Sequence, residues 1–232
     1  MPPEPVVIVN PTAGGGRAAR LVPWVTEQLA AAGAGRPLVT SRAGEAVDLA
    51  AAAVADGAER VIAVGGDGTV QEVVNGLIAS DGARATLGIV PVGSGNDLAR
   101  SLGLPRASAQ AWDVAVGRTV RALDVAKARG GGGERWFASA GGIGFDAQVA
   151  AAMATRSGWQ RGPAGYLLTT LSELRRFANR RVTLILDGIA SDHDVLFVAL
   201  ANGAYYGGGM RIAPDARPDD GLLDVCVVGD IS

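Results

Sequence analysis

Residues 60–77, R-V-I-A-V-G-G-D-G-T-V-Q-E-V-V-N-G-L, decide how the chain folds. They begin with a short apolar, β-branched run at 61–64, which is typical of a buried parallel strand. Three glycines then surround Asp67 and predict a tight turn, because glycine adopts backbone conformations that other residues avoid. After Thr69, apolar residues recur at steps of three and four, the spacing of one helix face. The stretch therefore predicts a strand, a glycine turn and a helix.

The glycine turn around Asp67 suits a phosphate group. Free N–H groups at the start of a helix attract negative charge, and glycines let an anion come close to the backbone. A carboxylate in such a turn repels phosphate unless a cation lies between them, so Asp67 indicates Mg²⁺ together with a nucleotide. The alternative is a tight strand-to-helix turn in which Asp67 is merely solvated.

Two further predicted strands also run into glycine turns. The strand at 5–9 is followed by N-P-T-A-G-G-G at 10–16, in which Asn10, Thr12 and the backbone of 13–16 can bond phosphate or adenosine. The strand at 86–90 is followed by P-V-G-S-G-N-D, in which Ser94 and Asn96 can donate hydrogen bonds, although Asn96 could also be a plain helix cap. Parallel strands would place all three turns at one sheet edge, where open α/β sheets bind ligands.

Composition excludes several classes of protein. With 48% hydrophobic and 19% charged residues, the 232-residue chain can bury a core, and its net charge of −2 gives no basic surface for nucleic acid. Its single cysteine (Cys226) and single histidine (His193) exclude a disulfide framework and a His–Cys zinc cluster. No signal peptide or transmembrane run is evident, so we expect a cytoplasmic protein. Peripheral membrane contact and a homodimer stay open.

The sequence pattern predicts two domains. Residues 1–128 alternate strands and helices, ending in a predicted strand at 120–126 that Asp124 interrupts. The glycine-rich run at 129–134 predicts a flexible connector. Residues 134–232 predict a second, mainly antiparallel β domain, with strands at 180–187, 195–201 and 225–228. The expected fold class is α/β followed by a β-rich domain.

Four motifs together resemble the diacylglycerol kinase catalytic-domain family, and its soluble bacterial lipid kinases in particular. They are N-P-T-A-G-G-G at 10–16, G-G-D-G-T-V-Q-E-V-V-N-G at 65–76, P-V-G-S-G-N-D-L-A-R at 91–100 and A-P-D-A-R-P-D-D-G-L-L-D at 213–224. NAD kinases share G-G-D-G-T, whereas G-S-G-N-D-L-A favours lipid kinases. The resemblance implies a Rossmann-like nucleotide domain, a β-sandwich-like second domain and an active site in the cleft between them. It also implies Mg²⁺-dependent transfer of the γ-phosphate of ATP to the hydroxyl of diacylglycerol or a related lipid at the membrane surface.

The resemblance also assigns residues. Asp67 would sit beside the ATP phosphates and their Mg²⁺. A structural Mg²⁺ would be bound by the side chain of Asp220 and the carbonyls of Arg217 and Leu222, with Asp124 linked to it through water. The nucleotide site would comprise Asn10, Pro11, Thr12, Ala13, Gly14, Thr40, Gly65, Gly66, Asp67, Gly68, Thr69, Val70, Gln71, Glu72, Ser94 and Asn96.

The chain departs from the family pattern at its end. Members of the family continue into a segment whose D-G-E motif supplies the general base and which then completes the first domain. No D-G-E occurs in this sequence, and neither of the available acids, Asp146 and Asp230, matches that role. We therefore expect this chain to lack the C-terminal segment and to be a weak or inactive catalyst. The rival hypotheses are an NAD-kinase-like phosphotransferase, a nucleotide-binding module without activity, and an α/β domain with no nucleotide site.

Overall fold

Two compact units make up the chain. The computed structural model describes residues 4–80, 85–130, 132–144 and 180–229. The first unit comprises residues 1–139 and 202–223, and the second comprises 140–201 and 224–232. Residues 202–223 thus return to the unit that contains the three glycine turns. The domain boundary predicted at 128–134 stays a prediction.

The first unit is built on a parallel sheet of four strands in the order β2-β1-β3-β4. Its strands are β1 (Val6–Val9), β2 (Leu38–Val39), β3 (Arg60–Gly65) and β4 (Thr86–Pro91). Its helices are α1 (Ala13–Ala31), α2 (Glu45–Ala55), α3 (Asp67–Ala79), α4 (Asp97–Ser101) and α5 (Ser108–Val116). The α/β part of the predicted fold class is confirmed.

Helices cover both faces of this sheet because its strands are apolar on both sides. Ile8 points to one face, where it joins a core with residues of α2 and α3. Val7 and Val9 point to the other face and pack with residues of α1 and α5. Strands that are buried on both faces carry continuous apolar runs, which is the pattern of residues 61–64.

Two predictions for residues 120–134 are wrong. No strand occupies 119–125; the backbone N–H of Asp124 instead donates to the carbonyl of Pro218 at 2.8 Å. Instead of a connector, residues 129–130 and 133–134 of the glycine-rich run belong to an antiparallel hairpin of β5 (Ala126–Gly130) and β6 (Gly133–Phe137), in which Gly130 pairs with Gly133. Local composition predicts a flexible stretch here, but pairing between the flanking residues decides the structure.

The second unit is an antiparallel sheet, as the sequence predicts. β7 (Ala140–Gly144), β8 (Arg180–Leu186) and β9 (Ile189–Ala201) belong to it. Two short strands, β10 (Tyr205–Tyr206) and β11 (Met210–Arg211), pair with each other in the first unit. The last strand, β12 (Asp224–Gly229), returns to the second unit and pairs with β9. Among the residues that the structure describes, no helix has the length and apolarity to cross a bilayer.

Candidate functional site

Three glycine turns meet at the carboxyl edge of the parallel sheet. We call residues 10–16, 65–68 and 92–96 the first, second and third glycine turns. Hydrogen bonds continue the sheet into them: Asn10 N–H donates to Val64 O at 3.1 Å, and Val92 N–H donates to Gly65 O at 2.8 Å. The sheet thus brings together turns that lie up to about 80 residues apart in sequence, as the motif spacing predicts.

Glycines are required where these turns touch. A Cβ on Gly93 would lie 2.5 Å from the Cα of Gly66, and a Cβ on Gly14 would clash with the carbonyl of Val92. Gly14 also has a φ of +61°, in the left-handed region. Close backbone packing therefore brings the three glycine turns to one small edge of the sheet, where the lack of side chains lets an anion approach the backbone.

Asp67 fastens the second turn to the third. Its Oδ2 accepts the N–H of Asn96 at 2.7 Å and its Oδ1 accepts the N–H of Asp97 at 2.6 Å. These are the backbone groups at the start of α4, where a carboxylate is favoured by the helix dipole. The carboxylate of Asp67 therefore has a structural role in addition to any role toward a cation.

Asp97 is the second carboxylate of the site, and it is buried. Its Oδ2 accepts the N–H of Gly208 at 2.8 Å, whereas its Oδ1 has no hydrogen-bond donor among the described residues. Burial raises the pKa of Asp97; the Gly208 N–H opposes that rise, and the nearby charge of Asp67 adds to it. A buried, unpaired carboxylate oxygen beside a second carboxylate indicates a place for a proton or a cation.

The polar side chains of the first turn form a connected network. Asn10 Nδ2 donates to Thr69 Oγ1 at 3.0 Å, while Asn10 Oδ1 accepts both the N–H (3.1 Å) and the hydroxyl (2.8 Å) of Thr12. Thr40 lies beside this network, since its N–H donates to Val9 O at 2.9 Å. The structure therefore brings Asn10, Thr12, Thr40 and Thr69 to one edge.

Three of the predicted nucleotide residues direct their side chains elsewhere. Val70 is buried in the core beside α2. Gln71 Nε2 donates to the carbonyl of Trp136 in the β5–β6 hairpin. Glu72 accepts the N–H of Gly44 at 3.0 Å and that of Ala46 at 3.3 Å, at the start of α2. Their side chains hold neighbouring elements in place, and a role toward nucleotide stays a prediction.

The predicted metal turn also lies in the first unit. Asp124 reaches it through two bonds: its N–H donates to Pro218 O at 2.8 Å and its Oδ2 accepts the N–H of Gly221 at 2.6 Å. Asp220 Oδ1 accepts the N–H of Leu222 at 3.0 Å, which is an Asx turn. Arg217 forms an exposed ion pair with Asp219 at 3.6 Å. The structure thus joins Asp124 to the D-D-G turn; metal binding by Arg217, Asp220 and Leu222 stays a prediction.

Mg²⁺ at the glycine turns is compatible with the groups present. Within the described parts of the chain, no three His, Cys, Asp or Glu side chains come together, so those parts do not by themselves supply a complete set of side-chain ligands. Asp67 and Asp97 supply carboxylate oxygens, and Mg²⁺ is often bound by one or two carboxylates together with phosphates and water.

Several residues at this edge escaped the sequence interpretation. Arg17 joins the first and third turns through its guanidinium group. Arg100 Nε donates to Gly95 O at 2.7 Å, and Gly208, the middle one of three glycines with positive φ at 207–209, lies against Gly95. The position of Arg17 directly after the glycines at 14–16 was a signal from which its role at the turns could have been predicted. Asp146 and Asp230 lie outside the described residues.

Comparisons with known proteins match both halves of the chain. The profile of the diacylglycerol kinase catalytic domain matches residues 4–128, and that of the "YegS C-terminal NAD kinase beta sandwich-like domain" matches 139–232. A diacylglycerol kinase of Mycobacterium tuberculosis (strain ATCC 25618 / H37Rv) is 35% identical over 222 residues, covering 94% of this chain and 71% of the relative. A protein of Xanthomonas axonopodis pv. citri (strain 306) named "Probable lipid kinase YegS-like" is 35% identical over 198 residues, covering 83% of this chain and 63% of the relative.

Solved structures resemble the chain along nearly its whole length. A crystal structure of a diacylglycerol kinase from Bacillus anthracis str. Sterne superposes with a TM-score of 0.75 at 34% identity. The match covers 99% of this chain and 75% of that structure. A parallel sheet with helices, followed by an antiparallel β-sandwich-like domain, is thus shared with a solved relative.

Proposed function

Since the chain belongs to the diacylglycerol kinase catalytic domain family, we propose that it transfers the γ-phosphate of ATP to the hydroxyl of diacylglycerol or a related lipid, with Mg²⁺. The observation that carries this proposal is the meeting of three glycine turns around Asp67 at one sheet edge. Phosphoryl transfer depends mainly on alignment and charge neutralisation, which such an edge can provide.

The residues at this edge would have different roles in binding the nucleotide and Mg²⁺. Backbone N–H groups of the three turns would hold the phosphates, and the network of Asn10, Thr12 and Thr69 would hold the first turn in place beside the nucleotide. Asp67 and Asp97 would hold Mg²⁺, which when bound would offset the charge of the phosphates. Asp67 would also keep the third turn in position through its two backbone bonds.

The acceptor hydroxyl needs a group that takes its proton. Among the described residues we assign no general base, so the assay must measure phosphate transfer itself as well as ATP binding. The name of the profile that matches 139–232 also keeps NAD as an acceptor to be compared.

Transfer of labelled γ-phosphate from Mg–ATP to a total lipid extract, and separately to NAD, tests the proposal. We expect a labelled lipid from the protein and at least a hundredfold less from its Asp67→Ala variant, because two roles of that carboxylate are lost together. The mobility of the product would identify the acceptor. Labelled NAD instead of lipid would favour the NAD-kinase hypothesis, and ATP binding with no transfer to either would favour a binding module.

A further inference from the structure

Arg17 lies where two glycine turns approach each other. It is the first residue after the glycines of the first turn and is exposed. Its Nε donates to Gly14 O at 3.1 Å, and its Nη2 donates to Val92 O at 2.9 Å and to Gly93 O at 3.2 Å. One guanidinium group therefore fastens the first turn to the start of the third.

These bonds leave part of the guanidinium for another acceptor. A guanidinium has five N–H donors in a planar fork, and the bonds to Gly14, Val92 and Gly93 use Nε and Nη2. Nη1 takes no part in them. Arginine keeps its charge at any ordinary pH, so the turns hold a permanent cation at their edge.

The other charged groups at the turns are negative, so a cation there would stabilise a bound phosphate. Within residues 10–16, 65–68 and 92–97 the charged side chains are Asp67 and Asp97, which are both acidic. A triphosphate that enters this edge adds more negative charge. Arg100 is also nearby, but it is half-buried, bonds Gly95 O and lies against Gly209. Arg17, by contrast, is exposed and bonds both the first and the third turn.

We propose that Arg17 is a phosphate-binding and positioning residue, which fixes the first and third glycine turns with one edge of its guanidinium and binds the phosphates of the nucleotide with the other. The inference rests on the proposed function, since it requires ATP at the turns. It adds to that function a residue outside the set that the motifs predict.

Calorimetric titration of the full chain with Mg–ATP and with adenosine tests this role. Adenosine has no phosphate. A variant that merely distorts the site therefore lowers the affinity for both ligands, whereas loss of the phosphate contact lowers the affinity for ATP alone. We expect Arg17→Gln to weaken Mg–ATP by about tenfold or more, the loss that one charge-assisted hydrogen bond accounts for. The Kd for adenosine should change by less than about twofold, well below the loss expected for ATP.

Two further variants complete the design. Arg20→Gln removes the same charge from an exposed position of the same helix and should bind ATP like the wild type. Arg17→Lys keeps the charge but cannot form the fork, so its affinity for ATP should fall between those of Arg17→Gln and the wild type. If Arg17→Gln does not fold, Arg17→Lys decides: a loss confined to ATP supports the proposal, and equal losses for both ligands overturn it.

The outcomes separate this inference from the proposed function. A wild type that binds ATP, with Arg17→Gln within about twofold of it, overturns the role of Arg17 and leaves the proposed function intact. An equal loss of affinity for ATP and adenosine would mean that Arg17 only holds the two turns together, and it would overturn the phosphate contact. A wild type that binds no Mg–ATP overturns both.

Discussion

The close backbone approach of Gly66 and Gly93 gives a first prediction. In Gly93→Ala the new Cβ would lie 2.5 Å from the Cα of Gly66 and 2.8 Å from Asn96 Oδ1. Backbone must move to relieve that overlap, so we expect a loss of about 1–3 kcal/mol in the free energy of unfolding. Urea unfolding monitored by circular dichroism measures it.

Gly68→Ala is the matched control, because it makes the same substitution in the second glycine turn, which also contains Gly66. Its added Cβ would meet no described atom within 4 Å, and Gly68 lies in α3, where alanine is the better helix former. The variant should be as stable as the wild type or up to about 1 kcal/mol more stable. Equal stabilities for Gly93→Ala and Gly68→Ala would contradict the packing of the turns described above.

Asp97 should make the stability of the protein depend on pH. Burial raises its pKa in the folded protein above its value in the unfolded chain. Between those two pKa values the folded state binds more protons, so stability is greatest below the unfolded pKa and falls as pH rises. Asp97→Asn keeps the neutral form and should remove this slope, which is at most about 1.4 kcal/mol per pH unit.

Urea unfolding of wild type and Asp97→Asn from about pH 4 to pH 7 gives the difference between the two proteins. At Glu45 the Ser41 N–H lowers the pKa, so its contributions to the stability of wild type and variant have the opposite sign to that of Asp97. Those contributions cancel in the difference. A stability difference that stays constant with pH would show that Asp97 titrates normally.

At the scale of elements, helix α2 depends on a side chain from α3. Glu72 accepts the N–H groups of Gly44 and Ala46 at the start of α2. Glu72→Ala leaves both donors without an acceptor and should cost about 1–2 kcal/mol of unfolding free energy, as the loss of a helix cap does. Glu27→Ala, on the exposed side of α1, removes the same charge and should cost less than about 0.5 kcal/mol.

Both variants should be measured by urea unfolding, with Mg–ATP affinity determined in parallel. A Glu72→Ala protein as stable as Glu27→Ala would refute the capping role. Weaker ATP binding in a stable Glu72→Ala protein would instead support the contact with nucleotide that the family resemblance implies.

Local patterns predict some elements well and others poorly. Apolar runs with glycine turns locate β1, β3 and β4, because burial on both faces leaves a continuous signal. β9 begins at Ile189, six residues before the predicted strand, because its first half pairs with β8. Asp187 and Gly188 form the tight turn, and this D-G pair was a hairpin signal that the apolar pattern obscured.

At the scale of the whole molecule, the return of residues 202–223 to the first unit could not be predicted from local pattern. It depends on hydrogen bonds between residues far apart in sequence. Asn202 Nδ2 donates to Asp124 O and to Ala138 O, both at 2.8 Å, and its N–H donates to Ser139 O at 2.8 Å. The motifs predicted that Asp67 lies beside the ATP phosphates and that Asp220 binds a structural Mg²⁺. They did not predict that one unit contains both residues.

Ligand binding should appear as added stability of the first unit. A ligand that binds only the folded state at about 100 times its Kd stabilises it by about 2.7 kcal/mol. For a chain of this size that corresponds to a rise of about 5–10 °C in the Tm of the first unit. Differential scanning calorimetry should show this rise when Mg–ATP is compared with the same concentration of Mg²⁺ alone.

The same scan in EDTA tests the function assigned to the two carboxylates. Without a cation, Asp67 and Asp97 repel the triphosphate, because like charges close together are unfavourable in a partly buried site. We therefore expect ATP in EDTA to raise the Tm by less than half as much as Mg–ATP does, which corresponds to more than about 1.4 kcal/mol of lost stabilisation. An equal rise would mean that the glycine turns bind the triphosphate without a cation, and the carboxylate of Asp67 would then serve only to hold the third turn.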